Sequence, residues 1–263
     1  MTLVHRTDEI EIVEYSKGAF GKARITVIKE MPLTVFLNRR EFVTLLCIAN
    51  HLKELAVGFL HSEGILNLVD EIESIKLDEE KGVVEIDTHQ KNLMAEKLFM
   101  KRTITSGCGK GSSFYNVMDA LKCKTIDSPI QISALQALNL MRELHRLSQL
   151  YKETGGVHNC ALAVPDRILI FREDIGRHNA VDKINGECLL QGIKREDKVL
   201  LTTGRVTSEI LIKAGKMRIP ILLSRSAATD LAVSMSQEIG ITTVGYVRGD
   251  RFTIYTHPER ITQ

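Results

Sequence analysis

Between residues 8 and 50 apolar and polar positions alternate closely enough to predict strands at IEIVEY, ARITVI, PLTVFLN and FVTLLCIA, broken by turn residues at Lys17-Gly18 and Asn38-Arg39. This half reads as antiparallel. KELAVGFLHSEGIL then shifts to helical spacing and stops near Gly64, after which IESIKLD and VVEIDTH predict a hairpin across Glu80-Lys81-Gly82. Leu93 to Met100 predicts one more helix. From Ser133 onward, Leu135, Leu138, Met141, Leu144 and Leu147 recur at three-residue spacing, an amphipathic helix that Gly155-Gly156 bring to an end.

Gly155 to Lys183, GGVHNCALAVPDRILIFREDIGRHNAVDK, is the stretch where polar chemistry is densest inside an apolar frame. VHNCALAV and RILIF, joined by Pro165-Asp166, predict a tight hairpin, and Val181, Ile184 and Cys188 fall on one face of the helix that follows. Arg177, His178 and Asn179 therefore stand at a helix N-terminus, whose free N–H groups favour an anion. From here the rhythm is strand, helix, strand, helix: KVLLTT, TSEILIKAGKM, PILLS, AATDLAVSMSQEI, then TTVGYV and FTIYTH. Such alternation predicts an α/β part with a mainly parallel sheet covered by helices. Ligands of open α/β sheets sit beyond the carboxyl ends of the strands. That rule singles out Thr202-Thr203-Gly204-Arg205-Val206-Thr207-Ser208 and Ser224-Arg225-Ser226-Ala227, each with hydroxyls, an arginine and helix-start N–H groups, a phosphate cradle in outline. No internal repeat is evident. The expected organisation is an N-terminal α+β domain over 1–101, a mobile cysteine loop and linker over 102–127, and an α/β domain over 128–263.

The charge balance, 35 basic against 33 acidic residues in 263, gives no reason to expect nucleic acid or a membrane surface as partner. The absence of Trp and 5% aromatic content also weaken a base-stacking role. MTLVHRTDEIEIVEYSKG lacks the apolar core of a signal peptide, and no apolar run approaches the roughly 20 residues of a bilayer span, so a cytoplasmic location is expected. Cys47, Cys108, Cys123, Cys160 and Cys188 are odd in number and scattered, which suits free thiols in a reducing compartment.

Cys108 stands in Ser106-Gly107-Cys108-Gly109-Lys110-Gly111. Its glycines let the backbone bend and Lys110 favours the thiolate, the form that attacks sulfur or binds metal; the alternative is an incidental loop cysteine. Cys47, Cys123 and Cys188 lie in apolar or helical patterns and read as structural. Cys160 shares a strand face with His158 and Leu162 and reads as packing. His158 and His178 are either metal ligands or hydrogen-bonded groups facing a ligand. With no C-x-x-C and no H-E-x-x-H in the chain, zinc is not expected. Arg177, Arg205 and Arg225 either pair with surface carboxylates or meet a ligand.

EDIGRHNAVDK (173–183), together with TGG-x-H (154–158), TTGRVTSEIL (202–211), SRSAATDLAV (224–233) and ELAVGFLHSEGIL (54–66), resembles the FdhD/NarQ family of formate dehydrogenase accessory proteins, from about Pro32 to the end of the chain. The resemblance implies a cytoplasmic sulfurtransferase. It would take persulfide sulfur from a cysteine desulfurase and deliver it to the molybdenum or tungsten bis-pyranopterin guanine dinucleotide cofactor, its cargo, for a formate dehydrogenase catalytic subunit. It also implies a C-terminal half similar to the cytidine deaminase fold, guanine-nucleotide binding and a homodimer. Carried onto this chain, Cys108 is the catalytic residue, and His158, Arg177, His178, Thr203, Gly204, Arg205, Ser208, Ser224, Arg225 and Ser226 contact the cofactor. The family's loop carries C-G-x-C-G, whereas Cys108-Gly109-Lys110-Gly111-Ser112 has Gly111 at the second cysteine. One thiol can accept a persulfide but cannot release it by closing a disulfide, so a non-enzymatic cofactor carrier or maturation chaperone stands as the alternative. A zinc deaminase is disfavoured: that chemistry needs His-x-Glu with Pro-Cys-x-x-Cys, and His158 is followed by Asn159 and Cys160.

Overall fold

Residues 6–89 and 125–263 are described by the computed structural model. The expected helix at Leu93–Met100, the cysteine loop with Cys108, and Cys123 lie outside the described residues. Strands β1 (Thr7–Ser16) and β2 (Ala19–Ile28) form an antiparallel ribbon, and β3 (Met31–Leu37), β4 (Arg40–Cys47), β5 (Ile72–Asp78) and β6 (Val83–Thr88) form a sheet in the order β4-β3-β6-β5. Within that sheet β3 and β6 run parallel and the other pairs antiparallel. Leu33, Val35, Leu37, Val84 and Ile86 turn one sheet face toward helix α1 (Leu52–Ser62), whose Leu52, Leu55, Ala56, Phe59 and Leu60 complete a core.

The C-terminal unit opens with β7 (Ile132–Ser133), α2 (Ala134–Leu147) and α3 (Gln149–Thr154). Ser133 Oγ accepts from Gln136 N at 3.2 Å while Gln136 Oε1 accepts from Ser133 N at 2.7 Å, a capping box that starts α2. Its buried face is Ala137, Leu140, Met141 and Leu144, and Leu135 and Leu147 are exposed. A strict three-residue spacing falls about 60° short of a full turn at each step, so the ends of the expected stripe rotate into solvent.

The hairpin β8 (His158–Val164) and β9 (Arg167–Asp174) follows, then α4 (Arg177–Gln191), β10 (Val199–Thr202), α5 (Ser208–Lys216), β11 (Ile221–Ser224), α6 (Asp230–Ile239), β12 (Thr242–Arg248), β13 (Arg251–Ile254) and β14 (Ile261–Thr262), which pairs with β7. The sheet order is β13-β12-β11-β10-β8-β9. Successive strand residues alternate sides, Leu200 and Leu222 packing with α4, α5 and α6, and Leu201 and Leu223 with α2. The architecture is mixed α/β. The expectation of a mainly parallel sheet holds for β10, β11 and β12 alone. Both flanks are antiparallel: Gly249-Asp250 and Pro165-Asp166 close the hairpins β12–β13 and β8–β9, and β8 itself runs antiparallel to β10. Among the described residues no helix is long and apolar enough to cross a membrane.

The two units meet where α1 crosses α4. A Cβ on Gly58 would lie 1.8 Å from the carbonyl oxygen of Asp182, and one on Gly186 would lie 1.9 Å from that of Glu54, so the helices touch backbone to backbone. Buried polar groups flank the crossing. Lys183 Nζ lies 2.6 Å from Asp174 Oδ2 and donates to Asn50 Oδ1 at 2.6 Å, and Asp174 Oδ2 also accepts from Ile48 N at 3.2 Å. Asp182 accepts from Lys213 Nζ at 2.5 and 2.7 Å and from Ser62 Oγ at 2.6 Å.

His61 adds a pH-dependent element to this interface. Asn185 Oδ1 accepts from Arg195 Nη1 at 2.9 Å, which leaves Asn185 Nδ2 to donate to His61 Nδ1 at 2.9 Å, so the ring is held neutral. Burial first, then Arg195, Lys216 and Lys213, push its pKa down to about 4. Because the folded value is depressed below the unfolded one, the unfolded chain binds the extra proton as pH falls from about 6.5 toward 4. Stability should drop over that window by roughly 1 kcal/mol per pH unit from this group. Urea denaturation at pH 7 and pH 5 checks it: the drop should shrink in His61→Gln.

Candidate functional site

β10 and β11 end alike. Thr202 and Ser224 pair across the parallel ladder; Gly204 N donates to Thr202 Oγ1 at 3.1 Å, and Ser226 N donates to Ser224 Oγ at 2.9 Å. The following loops bridge at Val206 and Ala228 and enter α5 and α6 through Thr207 and Thr229. This small repeat of strand, hydroxyl turn and helix start escapes the sequence because only the hydroxyl and the distal Thr are common to both copies. Ser224 Oγ also donates to Gly204 O at 2.7 Å, so it is fully engaged in tying the two loops together.

These loops and the segment from Gly155 to Asn159 enclose a cleft of about 390 Å³ lined by His145, Tyr151, Gly155, Gly156, Val157, His158, Asn159, Ile175, Thr203, Arg225, Ser226 and Arg248. It contains imidazoles, hydroxyls, an amide and two guanidiniums, and among the described residues no carboxylate lines it. Thr203 Oγ1 accepts from Asn159 N at 3.0 Å and lies 3.3 Å from His158 Nδ1. With the hydroxyl proton given to Nδ1, the imidazole carries its own proton on Nε2. Burial, then Arg177, His178 and Arg205, hold the His158 pKa below its ordinary value, so the ring is a neutral donor at pH 7.

Beside the cleft, Arg177, His178 and Arg205 gather where α4 and α5 begin. A Cβ on Gly204 would come within 2.5 Å of Arg177 Cδ, so the glycine is what lets Arg177 lie across the loop. The α4 N-cap is Gly176, which offers no side-chain acceptor to the first-turn N–H groups. His178 Nε2 lies 3.0 Å from Glu209 Oε2, close enough for an ion pair but outside hydrogen-bond alignment. That histidine is the main cause holding the Glu209 pKa low. Arg177 Nε and Thr207 Oγ1 are likewise buried without a partner. Unsatisfied buried donors beside two helix starts are groups that an anion or an ordered water would complete.

Of the residues singled out from sequence, His158, Thr203, Arg225 and Ser226 line the cleft, and Arg177, His178 and Arg205 stand next to it. Gly204 and Ser224 shape the loops from below, Ser208 is the first residue of α5, and Cys108 lies outside the described residues. Asn179, placed with the anion-binding helix start, instead donates from Nδ2 to Asp174 Oδ1 at 2.9 Å and to Leu46 O at 2.8 Å, and so holds the interface of the two units. Tyr151, His145 and Arg248 were not anticipated. Arg248 ends β12 and obeys the same strand-end rule that found Arg225; the α2 and α3 residues carry no comparable signal.

Cys47, Cys160 and Cys188 are buried. Burial drives the pKa of Cys47 and Cys160 up to about 12 and that of Cys188 to about 11. Among the described residues no three His, Cys, Asp or Glu side chains converge as a metal-ligand set.

A model of the FdhD/NarQ family matches residues 28–262, a span that takes in both units and every group lining the cleft. The chain belongs to the FdhD/NarQ family. Within the curated proteins it is 47% identical over 252 residues to the sulfur carrier protein FdhD of Bacillus pumilus (strain SAFR-032), which covers 96% of each chain. It is 44% identical over 251 residues to the sulfur carrier protein FdhD of Bacillus subtilis (strain 168), covering 95% of this chain and 96% of that one. A solved structure from Desulfotalea psychrophila, assigned as a formate dehydrogenase accessory protein, is 26% identical and superposes with a TM-score of 0.80 over 98% of this chain and 100% of its own. This FdhD/NarQ member therefore shares its arrangement of both units with that structure.

Proposed function

We propose that this chain is a sulfur carrier for formate dehydrogenase maturation, acting in the cytoplasm as a homodimer. Cys108 thiolate attacks the outer sulfur of a cysteine desulfurase persulfide; one S–S bond forms, another breaks, and the desulfurase thiolate leaves. The cargo, a molybdenum or tungsten bis-pyranopterin guanine dinucleotide, would be held at the strand-end cleft and take the outer sulfur as a sulfido ligand, the reduced metal of the cargo supplying the two electrons that cleave the Cys108 S–S bond and release the Cys108 thiolate. The observation that carries this reading is the carboxylate-free cleft itself, with Arg225, Arg248 and the neutral Nε2–H donor of His158 at its wall, on a chain 47% identical to a sulfur carrier. Arginines suit phosphate oxygens and the neutral imidazole suits an acceptor on a base. A cytidine-deaminase-like C-terminal unit belongs to the same proposal.

The test is intact-mass analysis after incubation with a cysteine desulfurase and cysteine, comparing the wild type with Cys108→Ser. A gain of one sulfur, about 32 Da, on the wild type alone is expected. Gly111, standing where the family has its second cysteine, favours a rival in which the chain carries or chaperones the cofactor without touching sulfur. Guanine-nucleotide binding with no gain of mass on either protein would select that rival.

A further inference from the structure

Behind the cleft wall three polar side chains meet out of reach of solvent. Ser148, between α2 and α3, is fully buried, Asn159 on β8 is 1% exposed and Glu173 on β9 is 8% exposed. Ser148 Oγ lies 2.9 Å from Asn159 Oδ1 and 3.3 Å from Glu173 Oε2, and it accepts from Tyr151 N at 3.3 Å. A hydroxyl has one proton and two lone pairs. With one lone pair given to Tyr151 N, a single donor and a single acceptor site remain for two neighbours. When the Asn159 amide accepts from Ser148, the Glu173 carboxyl must therefore donate to it, and the reverse. The structure turns Asn159 Oδ1 to Ser148, the arrangement that calls for a proton on Glu173. Asn159 Nδ2 then has no partner among the described residues and is not one of the enclosed atoms, so it opens on the cleft that Asn159 lines. An ionised Glu173 accepts the Ser148 hydrogen bond instead, and the Asn159 amide turns over to donate to Ser148, showing Oδ1 to the cleft.

We propose that Glu173 is a positioning residue for the cleft: its proton decides, through Ser148, whether Asn159 shows the ligand a donor or an acceptor. The inference rests on the nucleotide-binding reading given above and adds a control to it. Phosphate oxygens and the O6 and N7 of guanine are all acceptors, so a nucleotide is met by Asn159 Nδ2 and repelled by Asn159 Oδ1. The grip is present while Glu173 is neutral and loosens as pH rises and the carboxyl ionises. The charged groups that face Glu173 are Arg6, whose Nη1 is 3.8 Å from Glu173 Oε1 at the foot of β1, Lys183 on α4, whose Nζ donates to Glu173 O at 3.4 Å, and Glu153 on α3. Asp174, next along β9, is held by Lys183. Burial raises the Glu173 pKa above the ordinary carboxylate value and Glu153 adds to the rise, against Ser148, Arg6 and Lys183.

Calorimetric titration of the full chain with guanosine diphosphate, from about pH 5 to about pH 8 across the upper carboxylate range, tests this against Glu173→Gln. In that variant the amide oxygen takes the side facing Arg6, and Nε2 donates to Ser148 at every pH, as the neutral carboxyl does. The quantity read is the ratio of the wild-type Kd to the Glu173→Gln Kd, in which the titrations of the phosphate and of His158 cancel. It should be about 1 at the acid end and rise to about tenfold at the alkaline end, the scale of one acceptor left facing an acceptor. The variant thus binds more tightly than the wild type, which loss of a merely structural group would not produce. In a Ser148→Ala background the ratio should stay at about 1 throughout, because the link between Glu173 and Asn159 is cut. A wild-type ratio that stays near 1, a Glu173→Gln protein that binds more weakly at every pH, or a rise that persists in Ser148→Ala would overturn the positioning role while leaving nucleotide binding in place. Failure of the wild type to bind at any pH would overturn the nucleotide reading, and this inference with it.

Discussion

Gly186→Ala is expected to destabilise the protein by about 4 kcal/mol or more, a large share of the roughly 5–15 kcal/mol that holds a typical domain folded. The added methyl would sit 1.9 Å from the carbonyl oxygen of Glu54 and 2.7 Å from its carbon, and neither atom belongs to a side chain that can rotate away. Helices α1 and α4 would have to separate by more than an ångström. Overpacking alone typically costs about 1–3 kcal/mol. Here separation also stretches Lys183 away from Asn50 and Asp182 away from Ser62, each a hydrogen bond to a charged group worth about 1.5–3 kcal/mol, while the Lys183–Asp174 and Asp182–Lys213 pairs inside the C-terminal unit persist. Urea denaturation measures the loss, with Gly192→Ala as reference. That residue has φ +65° and nothing within 4 Å of its would-be Cβ, so alanine there meets only backbone strain, about 1 kcal/mol. If the two variants lose the same stability, close approach at the crossing is not what joins the units.

The motif that made the family visible shows why sequence located the site and misjudged part of its chemistry. EDIGRHNAVDK reads as a single polar cluster at a helix start, yet the fold divides it by helix face. Arg177 and His178 turn toward the cleft side, while Asp174, Asn179, Asp182 and Lys183 turn inward to partners such as Leu46, Ile48, Asn50 and Ser62. Those partners lie more than a hundred residues earlier in the chain, and no local pattern announces them. Gly58 and Gly186 did carry a signal, since glycine inside a helix costs stability and usually has a packing reason, but the reason appears only when the two helices are set against each other. Strand periodicity found β8 to β12, and the strand-end rule found Thr203, Arg225 and Ser226. Tyr151 and His145 reach the cleft from α3 and α2, a placement set by tertiary packing alone.

Cys108→Ser is expected to abolish activation of formate dehydrogenase, whereas Cys47→Ala and Cys188→Ala should activate it as the wild type does. Only a thiolate attacks a persulfide, and each unit of pKa above ambient pH lowers the thiolate fraction tenfold. With Cys47 and Cys160 near 12 and Cys188 near 11, fewer than about one thiol in a thousand is ionised at pH 7.5 at any of the three. Their burial denies approach as well, Cys160 being fully enclosed with its sulfur 3.3 Å from Thr202 Oγ1. Sulfur accepted by this chain must then pass through Cys108 or Cys123, and Cys108 has the glycine neighbours and, two residues on, the Lys110 that favour a reactive thiolate. Reconstitution of a sulfur-free formate dehydrogenase with desulfurase, cysteine and each variant measures the effect, with Cys123→Ser run in parallel. Loss in Cys108→Ser alone means that one thiol accepts and delivers the sulfur, in spite of Gly111. Loss in both serine variants means that Cys123 takes over the part of the missing second cysteine. Full activation by the double variant Cys108→Ser/Cys123→Ser would show that sulfur does not travel on this chain, and the cleft would then serve a carrier that binds the cofactor and leaves its sulfuration to another protein.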